Sequence, residues 1–319
     1  MIINFPRDVN TAAKQIKPYI RYTYFNYSPY FSKFVNGEVH FKMENLQVTG
    51  SFKARGAMNK ILSLSNKERS RGVISASTGN HGAAVANAAR VMGIPCSIYV
   101  PKDSSIAKLK NMENYGATIE VYGGDCVDSE LRAREVAILK KKVYVSPYND
   151  PLVIAGQGTI GFEIKDQCDG LDVIIISVGG GGLIGGTASY LKSVWPELYV
   201  IGCSPENSAV MIHSINKGEI LNLQSKPTLS DGTAGGVEEN SITFPICKDN
   251  IDQSVLVSET EIKNGMISFI ENEHLLLEGA AGTAVATLIK MKDELKGKRV
   301  GVVICGGNIS LDIIKKVLN

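Results

Sequence analysis

The sequence lacks the features that define several classes of protein. No apolar run approaches the roughly 20 residues that a membrane-spanning helix needs. There is no basic block, and a formal net charge of +2 gives nucleic-acid binding no electrostatic support. Residues 1–7 lack the basic start and long apolar core of a secretory signal peptide. We therefore expect a protein that binds neither nucleic acid nor membrane.

Cysteine is scarce and scattered. The six cysteines stand at positions 96, 126, 168, 203, 247 and 305, with no Cys-x-x-Cys pair. This spacing indicates neither a zinc site nor a disulfide framework, and a reducing cytoplasm is the simplest compartment. The 319 residues, 44% of them apolar, are enough for about two domains of roughly 150 residues each.

Strand and helix patterns alternate along the chain. Strands are predicted at 39–43, 72–76, 96–100, 118–121, 143–145, 172–178, 198–202 and 299–305. Helices are predicted from Lys53 to about Leu64 and at 83–92, 106–115, 129–141, 160–168, 183–194, 260–272 and 280–295, with a loop-rich 216–254. This order predicts an α/β fold of two domains, each with a mostly parallel sheet flanked by helices.

The N-terminal region combines a helical stripe with an aromatic cluster. A helix that Asp8 could cap is predicted before Pro18. Eight aromatic residues follow between 19 and 34. Such a cluster is more typical of a core or a subunit interface than of a cofactor site.

One lysine stands between two glycines in the run GSFKARG at 50–56. An apolar residue, Phe52, precedes Lys53, and helix-forming residues follow it. We interpret this as a lysine at the start of a helix beneath a cofactor; a surface lysine at a turn is the alternative. Lys42, on a predicted strand, is interpreted as a solvated or paired side chain.

Four successive glycines separate a strong strand from a helix at 179–182. Their backbone N–H groups can converge on a phosphate, helped by the helix N-terminus. A dinucleotide fingerprint is the first alternative, because Gly180, Gly182 and Gly185 fit its frame. The predicted strand 198–202 ends without an acid at the ribose-binding position, which weakens that alternative.

The polar run STGNHG at 77–82 lies between a strand and a helix. Hydroxyls and backbone N–H groups at a helix start can bind a carboxylate. The alternative is a polar turn in which a Ser or Thr caps the helix.

Together these runs resemble the fold type II pyridoxal-phosphate enzymes (tryptophan synthase β-like), in their serine/threonine dehydratase and serine racemase branch. The resemblance spans about 39–308. It implies pyridoxal 5'-phosphate in the cleft between the domains, attached to Lys53 beside Phe52. One flexible amine can hold the cofactor and then take the substrate α-proton. The implied phosphate contacts are Gly179, Gly180, Gly181, Gly182 and Leu183.

The resemblance also assigns the remaining site residues. It implies substrate contacts at Ser77, Thr78, Gly79, Asn80 and His81, with Asn80 also at the cofactor's ring oxygen. It places Glu278 near the ring and Cys305 at the pyridine nitrogen, where a group that is not a carboxylate favours β-elimination. Taken alone, Glu278 would be a helix N-terminal acid and Cys305 a buried core cysteine.

Some family members bind a divalent cation through a Glu and an Asp six positions apart. The matching positions here are Ser204 and Val210, so we expect no metal site. The resemblance divides the chain into a large-domain segment 1–47, a small domain 48–146 and a large-domain segment 147–319. Because the chain ends soon after Asn308, a C-terminal regulatory domain is not expected.

The implied function is an ammonia-lyase that converts threonine, serine or a related β-hydroxy amino acid to a 2-oxo acid and ammonia. Thr78 stands where the racemases have serine, and we expect elimination to dominate. The alternatives are a racemase, a dehydratase of 3-hydroxyaspartate or of a hydroxyectoine breakdown product, and a protein that holds the cofactor without turnover. A cytoplasmic homo-oligomer, dimer or tetramer, is expected.

Overall fold

The computed structural model describes residues 4–104 and 106–319, and ten strands lie in that part of the chain. They are β1 (Phe25–Tyr27), β2 (Glu38–Lys42), β3 (Val73–Ala76), β4 (Cys96–Val100), β5 (Thr118–Val121), β6 (Val143–Tyr144), β7 (Val173–Ser177), β8 (Tyr199–Pro205), β9 (Gln253–Val257) and β10 (Arg299–Val303).

Helices follow most of the strands. They are α1 (Phe5–Ile16), α2 (Pro29–Val35), α3 (Lys53–Leu62), α4 (Asn66–Arg71), α5 (Asn80–Val91), α6 (Ile106–Asn114), α7 (Cys126–Leu139), α8 (Pro151–Gln167), α9 (Gly182–Val194), α10 (Val210–Lys217), α11 (Thr243–Asn250), α12 (Glu259–Glu273), α13 (Gly279–Lys290) and α14 (Leu311–Leu318). Short 3-10 turns occupy Glu44–Leu46 and Val48–Gly50.

The strands form two sheets, and the predicted fold class is confirmed. The larger sheet has the order β1-β2-β10-β7-β8-β9 and is parallel except at β1–β2. The smaller sheet, β5-β4-β3-β6, is parallel throughout and lies within 48–146. The domain boundaries stay a prediction, and residues 1–3 and 105 of those segments lie outside the described residues.

The central strand β7 is buried along its whole length, as its unbroken apolar sequence predicts. Helices α9 and α13 both contact it. Since parallel strands point the same way, the segments after β3, β7 and β10 leave the carboxyl ends of their sheets, where ligands of open α/β folds bind. These segments are the predicted site loops.

The aromatic cluster before β2 is only partly core. Phe31 is fully buried, whereas Tyr22, Tyr24, Tyr27 and Tyr30 are 44–65% exposed. The core interpretation holds for Phe31, and the interface interpretation stays a prediction for the others.

Several element starts differ from those predicted. Asn4, not Asp8, caps α1, because its side chain accepts from Arg7 N at 3.2 Å, while Asp8 in the first turn accepts from Asn4 N at 2.9 Å. Helix α8 begins at Pro151 behind the cap Asp150, nine residues before the predicted 160. The glycines in its first half resemble helix breakers, but they allow close helix packing.

The predicted loop 216–254 contains the short helix α11 and the start of β9. Helices α2, α4, α10 and α14 were not predicted either. Each has eight residues or fewer, too few turns for a clear helical period.

Four charged side chains, one of them on α3, are buried together. We call Lys42, Glu44, Arg55 and Glu163 the ion cluster. Arg55 is fully buried and pairs with Glu44 and with Glu163, each at 2.7 Å. Lys42, also fully buried, donates to Glu163 at 2.6 Å. Lys42 is therefore paired and not solvated.

Removing one member of the ion cluster should destabilise the fold strongly. In Glu163→Ala, Arg55 and Lys42 lose their shared carboxylate while still buried, at a cost of about 3–5 kcal/mol. The matched control is Glu135→Ala, which removes an exposed partner of Arg132 and should cost under about 1 kcal/mol. Urea unfolding of both variants measures the difference; equal midpoints would contradict a stabilising cluster.

Candidate active site

Lys53 is the first residue of α3, as predicted, and the turn before it is attached to the end of β10. Phe52 N donates to Cys305 O at 3.0 Å, and Gly307 N donates to Gly50 O at 2.9 Å. The amine of Lys53 donates to the backbone oxygen of Pro147 at 2.8 Å. Two segments distant in sequence therefore hold this lysine.

The environment of Lys53 favours the neutral amine. Burial lowers its pKa to about 8, and the nearby Glu278 carboxylate opposes this shift only in part. Because an amine must be neutral to attack a carbonyl or take a proton, this shift suits a nucleophile and base near neutral pH.

The glycine loop follows β7 and leads into α9. Gly181 has a left-handed φ of 84°, and a Cβ on Gly180 would lie 2.5 Å from the Tyr148 ring. No side chain of the described residues caps α9, so its first N–H groups are free for an anion. Leu183 lies in this first turn and is buried.

The strand after the glycine loop is longer than predicted. β8 continues to Pro205, and an exposed acid, Glu206, follows directly. The missing acid therefore gives a weaker argument against dinucleotide binding than the sequence indicated.

The predicted polar loop 77–82 is shorter in the structure, because α5 already starts at Asn80. Gly79 precedes the helix, and neither Ser77 nor Thr78 provides a side-chain cap, so helix capping does not explain their hydroxyls. Ser77 instead accepts from Gly79 N through its Oγ at 3.2 Å. The uncapped N–H groups of Asn80 and its neighbours suit a carboxylate.

His81 lies inside the first turn of α5. Its Nε2 is 3.0 Å from Val145 O, which can only accept, so Nε2 carries the hydrogen. Burial, followed by the charge of Lys53, lowers the pKa of His81 to about 3. The ring is therefore neutral near pH 7.

Glu278 and Cys305 are buried beside Lys53. Glu278 precedes α13 but does not cap it; its carboxylate accepts from Asn80 Nδ2 at 2.9 Å. Burial raises the pKa of Glu278 to about 7 and raises the pKa of the Cys305 thiol well above its usual range. Cys305 is therefore a neutral group.

The positions that correspond to the family's cation site carry no carboxylates. Ser204 Oγ donates to Val178 O at 2.7 Å, and the apolar Val210 begins α10. Across 4–104 and 106–319, no group of three or more His, Cys, Asp and Glu residues could hold a metal ion. Independence from metal stays a prediction.

Comparison with known proteins decides the family. The family model described as "Pyridoxal-phosphate dependent enzyme" matches residues 16–306. The chain belongs to this family. It is 41% identical over 315 residues to an L-threonine ammonia-lyase of Thermotoga maritima, covering 98% of this chain and 77% of that protein.

Two further relatives match nearly the whole chain. A serine racemase of Dictyostelium discoideum is 38% identical over 317 residues, covering 98% of this chain and 97% of that protein. A solved structure of a threonine deaminase from Solanum lycopersicum has a TM-score of 0.91 at 28% identity, covering 99% and 96% of the two chains. The cofactor of the family is pyridoxal phosphate, as predicted.

The residues present fit this cofactor. The loop 179–182 admits no side chain at Gly180, and α9 offers free N–H groups for the phosphate. The desolvated Lys53 amine suits an aldehyde, and the neutral Cys305 thiol suits an unprotonated pyridine nitrogen. The individual contacts remain proposals.

Sequence reasoning missed three residues that contact the predicted site residues: Pro147, which accepts from Lys53; Tyr148, whose ring backs the glycine loop; and Asn308, which donates to Asn80. No local motif identifies Pro147 or Tyr148. Asn308 ends the run Cys305-Gly306-Gly307-Asn308, and its polar side chain after two glycines was the available signal.

Gly180→Ala tests the glycine loop. The added Cβ would meet the Tyr148 ring at 2.5 Å and push the loop from the cofactor phosphate. We expect pyridoxal phosphate to bind about tenfold more weakly, a change of about 1.4 kcal/mol. The control is Gly170→Ala, because a Cβ there meets nothing within 4 Å. Absorbance titration measures both, and unchanged binding in Gly180→Ala would contradict the phosphate assignment.

Proposed function

We propose that this chain is a pyridoxal-phosphate-dependent ammonia-lyase, a dehydratase of threonine, serine or a related β-hydroxy amino acid. The main support is the similarity to the Thermotoga L-threonine ammonia-lyase. One structural observation carries the reaction type: Cys305, next to the turn that holds Lys53, is a buried thiol that stays neutral. A carboxylate in its place would favour a protonated pyridine nitrogen on the cofactor. The products are a 2-oxo acid and ammonia.

Lys53 acts as attachment point and base. When bound, pyridoxal phosphate supplies an electron sink for the carbanion that forms at the substrate α-carbon. The Lys53 amine takes the α-proton, and its lowered pKa of about 8 leaves part of the amine neutral at physiological pH. Pro147 O holds this amine in place by a hydrogen bond of 2.8 Å.

The two uncapped helix starts bind the two anionic groups. The segment 179–183 at the start of α9 holds the cofactor phosphate, and the segment 77–81 at α5 holds the substrate carboxylate. Placing one anion at each helix start orients the amino acid relative to Lys53.

A racemase is the second candidate, supported by the similarity to the Dictyostelium serine racemase. Racemisation needs a second acid–base group on the face opposite Lys53, and Thr78 is the residue proposed there. Thr78 is half-buried, and its β-branch restricts χ1. Elimination is therefore the proposed main reaction, with racemisation minor.

The proposed setting is a homo-oligomer in the cytoplasm. The described cysteines are all free thiols, which suits a reducing compartment. No described helix is both long and apolar enough to cross a membrane. The exposed tyrosines before β2 are the proposed subunit contact, because large exposed aromatic patches often mark interfaces.

Lys53→Ala should abolish 2-oxo acid formation from threonine, serine and 3-hydroxyaspartate, because it removes both base and attachment point. An enzyme-coupled 2-oxo acid assay compares these substrates. Borohydride reduction of the cofactor-loaded wild-type protein, followed by peptide mapping, should find the reduced cofactor attached to Lys53. Lys60→Ala, on the same helix, is the control and should remain active. A label on Lys42, or no 2-oxo acid from any substrate, would contradict the proposal.

Thr78 variants should change the ratio of D-serine to pyruvate formed from L-serine. Thr78→Ala removes the hydroxyl and should lower racemisation more than elimination. Thr78→Ser keeps the hydroxyl without the restricting methyl and should raise racemisation. Chiral chromatography with a pyruvate assay gives the ratio. Racemisation faster than elimination in the wild type would favour the racemase instead, and two unchanged rates would leave Thr78 structural.

A further inference from the structure

A chain of side-chain amides crosses the site. Asn308 Nδ2 donates to Thr49 O and to Asn80 Oδ1, both at 2.7 Å. Asn80 Nδ2 donates in turn to both carboxylate oxygens of Glu278 at 2.9 Å. We call the Thr49 carbonyl, Asn308, Asn80 and Glu278 the amide relay. It joins the turn before Lys53 to the start of α5 and to the residue before α13.

The chemistry of the relay fixes the direction of every member. A backbone carbonyl only accepts, so Thr49 O requires the Nδ2 group of Asn308. That group then faces the oxygen of Asn80, which leaves the Asn80 Nδ2 group pointing to Glu278. Because an amide differs at its two ends, Asn80 could turn over only by losing both contacts.

The relay begins at a strained turn. Thr49 has φ 62° and Gly50 has φ 73°, and a β-branched residue rarely adopts this left-handed conformation. Asn308 packs against the turn, since a Cβ on Gly50 would lie 2.6 Å from Asn308 Oδ1. Asn308 thus contacts both the turn that leads to Lys53 and the side chain of Asn80.

We propose that Asn308 is a positioning residue that makes Asn80 present its N–H donors, not its oxygen, to the cofactor. Asn80 Nδ2 carries two hydrogens, and one is enough for Glu278. The other can donate to the ring oxygen of pyridoxal phosphate, the contact that the family resemblance implies for Asn80, so this inference rests on the proposed function. Asn308 itself needs no contact with cofactor or substrate.

Asn308→Asp reverses the relay without changing its shape. An ionised Asp only accepts, so it opposes both Thr49 O and Asn80 Oδ1. Asn80 is expected to turn over and give its donors to the new carboxylate. The dissociation constant of pyridoxal phosphate should then rise about a hundredfold, because the turned Asn80 oxygen faces acceptors without a hydrogen between them. The absorbance maximum of the bound cofactor should also shift.

Asn308→Ala separates this role from simple packing. It removes the donors but leaves Asn80 free to keep its direction, so we expect only about tenfold weaker cofactor binding. A space-filling role predicts the opposite order, since Asp has the size of Asn and Ala does not. Asn272→Asp is the matched control, because Asn272 Nδ2 donates to Ser268 O within the same helix, α12.

The measurement is the dissociation constant and spectrum of pyridoxal phosphate on the full-length, cofactor-loaded protein, with circular dichroism as the check of folding. The relay is supported if Asn308→Asp binds pyridoxal phosphate more weakly than Asn308→Ala and Asn272→Asp binds it as the wild type does. Asn308→Asp with the wild-type constant and spectrum, or weaker binding in Asn308→Ala, overturns it. Cofactor binding is read without turnover, so a wild type that forms no 2-oxo acid sinks the proposed lyase and leaves this result standing.

Discussion

The ion cluster is the constraint on which the position of Lys53 depends. Desolvating a charge costs several kcal/mol, so the four buried side chains are stable only when all their partners are in place. They come from β2, the 44–46 turn, α3 and α8. Arg55 lies two residues after Lys53 and donates through Nε, Nη1 and Nη2 to Glu44 and Glu163. The first turn of α3 is thereby fixed to the 44–46 turn and to α8.

Backbone contact extends this constraint to the phosphate loop. Helix α8 lies between α3, which carries Lys53, and α9, which follows the glycine loop. A Cβ on Gly156 would lie 2.6 Å from Gly56 Cα in α3, and one on Gly186 of α9 would lie 2.2 Å from Ile154 O in α8. With no side chains between them, the three helices have little freedom to slide. The spacing between amine and phosphate loop is therefore set by backbone packing.

Local backbone demands could be predicted from the sequence, and long-range partners could not. The run 50–56 and the glycines 179–182 stand out because only a few residue types suit them. The first half of α8 was missed because the glycines that admit neighbouring helices look like helix breakers. Arg55 and Glu163 are 108 positions apart, and no feature of the sequence around either residue predicts the other as its partner. The start of α5 at Asn80 was missed because no polar side chain caps it.

Burial has different consequences for the charges of the ion cluster and for the charge of Lys53. In the ion cluster burial alone would raise the pKa of Glu44, but Arg55 outweighs it, so both stay charged. Lys53 donates to a backbone carbonyl, and burial outweighs the charge of the nearby Glu278, so its pKa falls to about 8. The same helix thus carries a permanently charged anchor and, two residues earlier, an amine that can lose its proton. A base that works near neutral pH needs both properties, because the anchor fixes its position and burial leaves its charge adjustable.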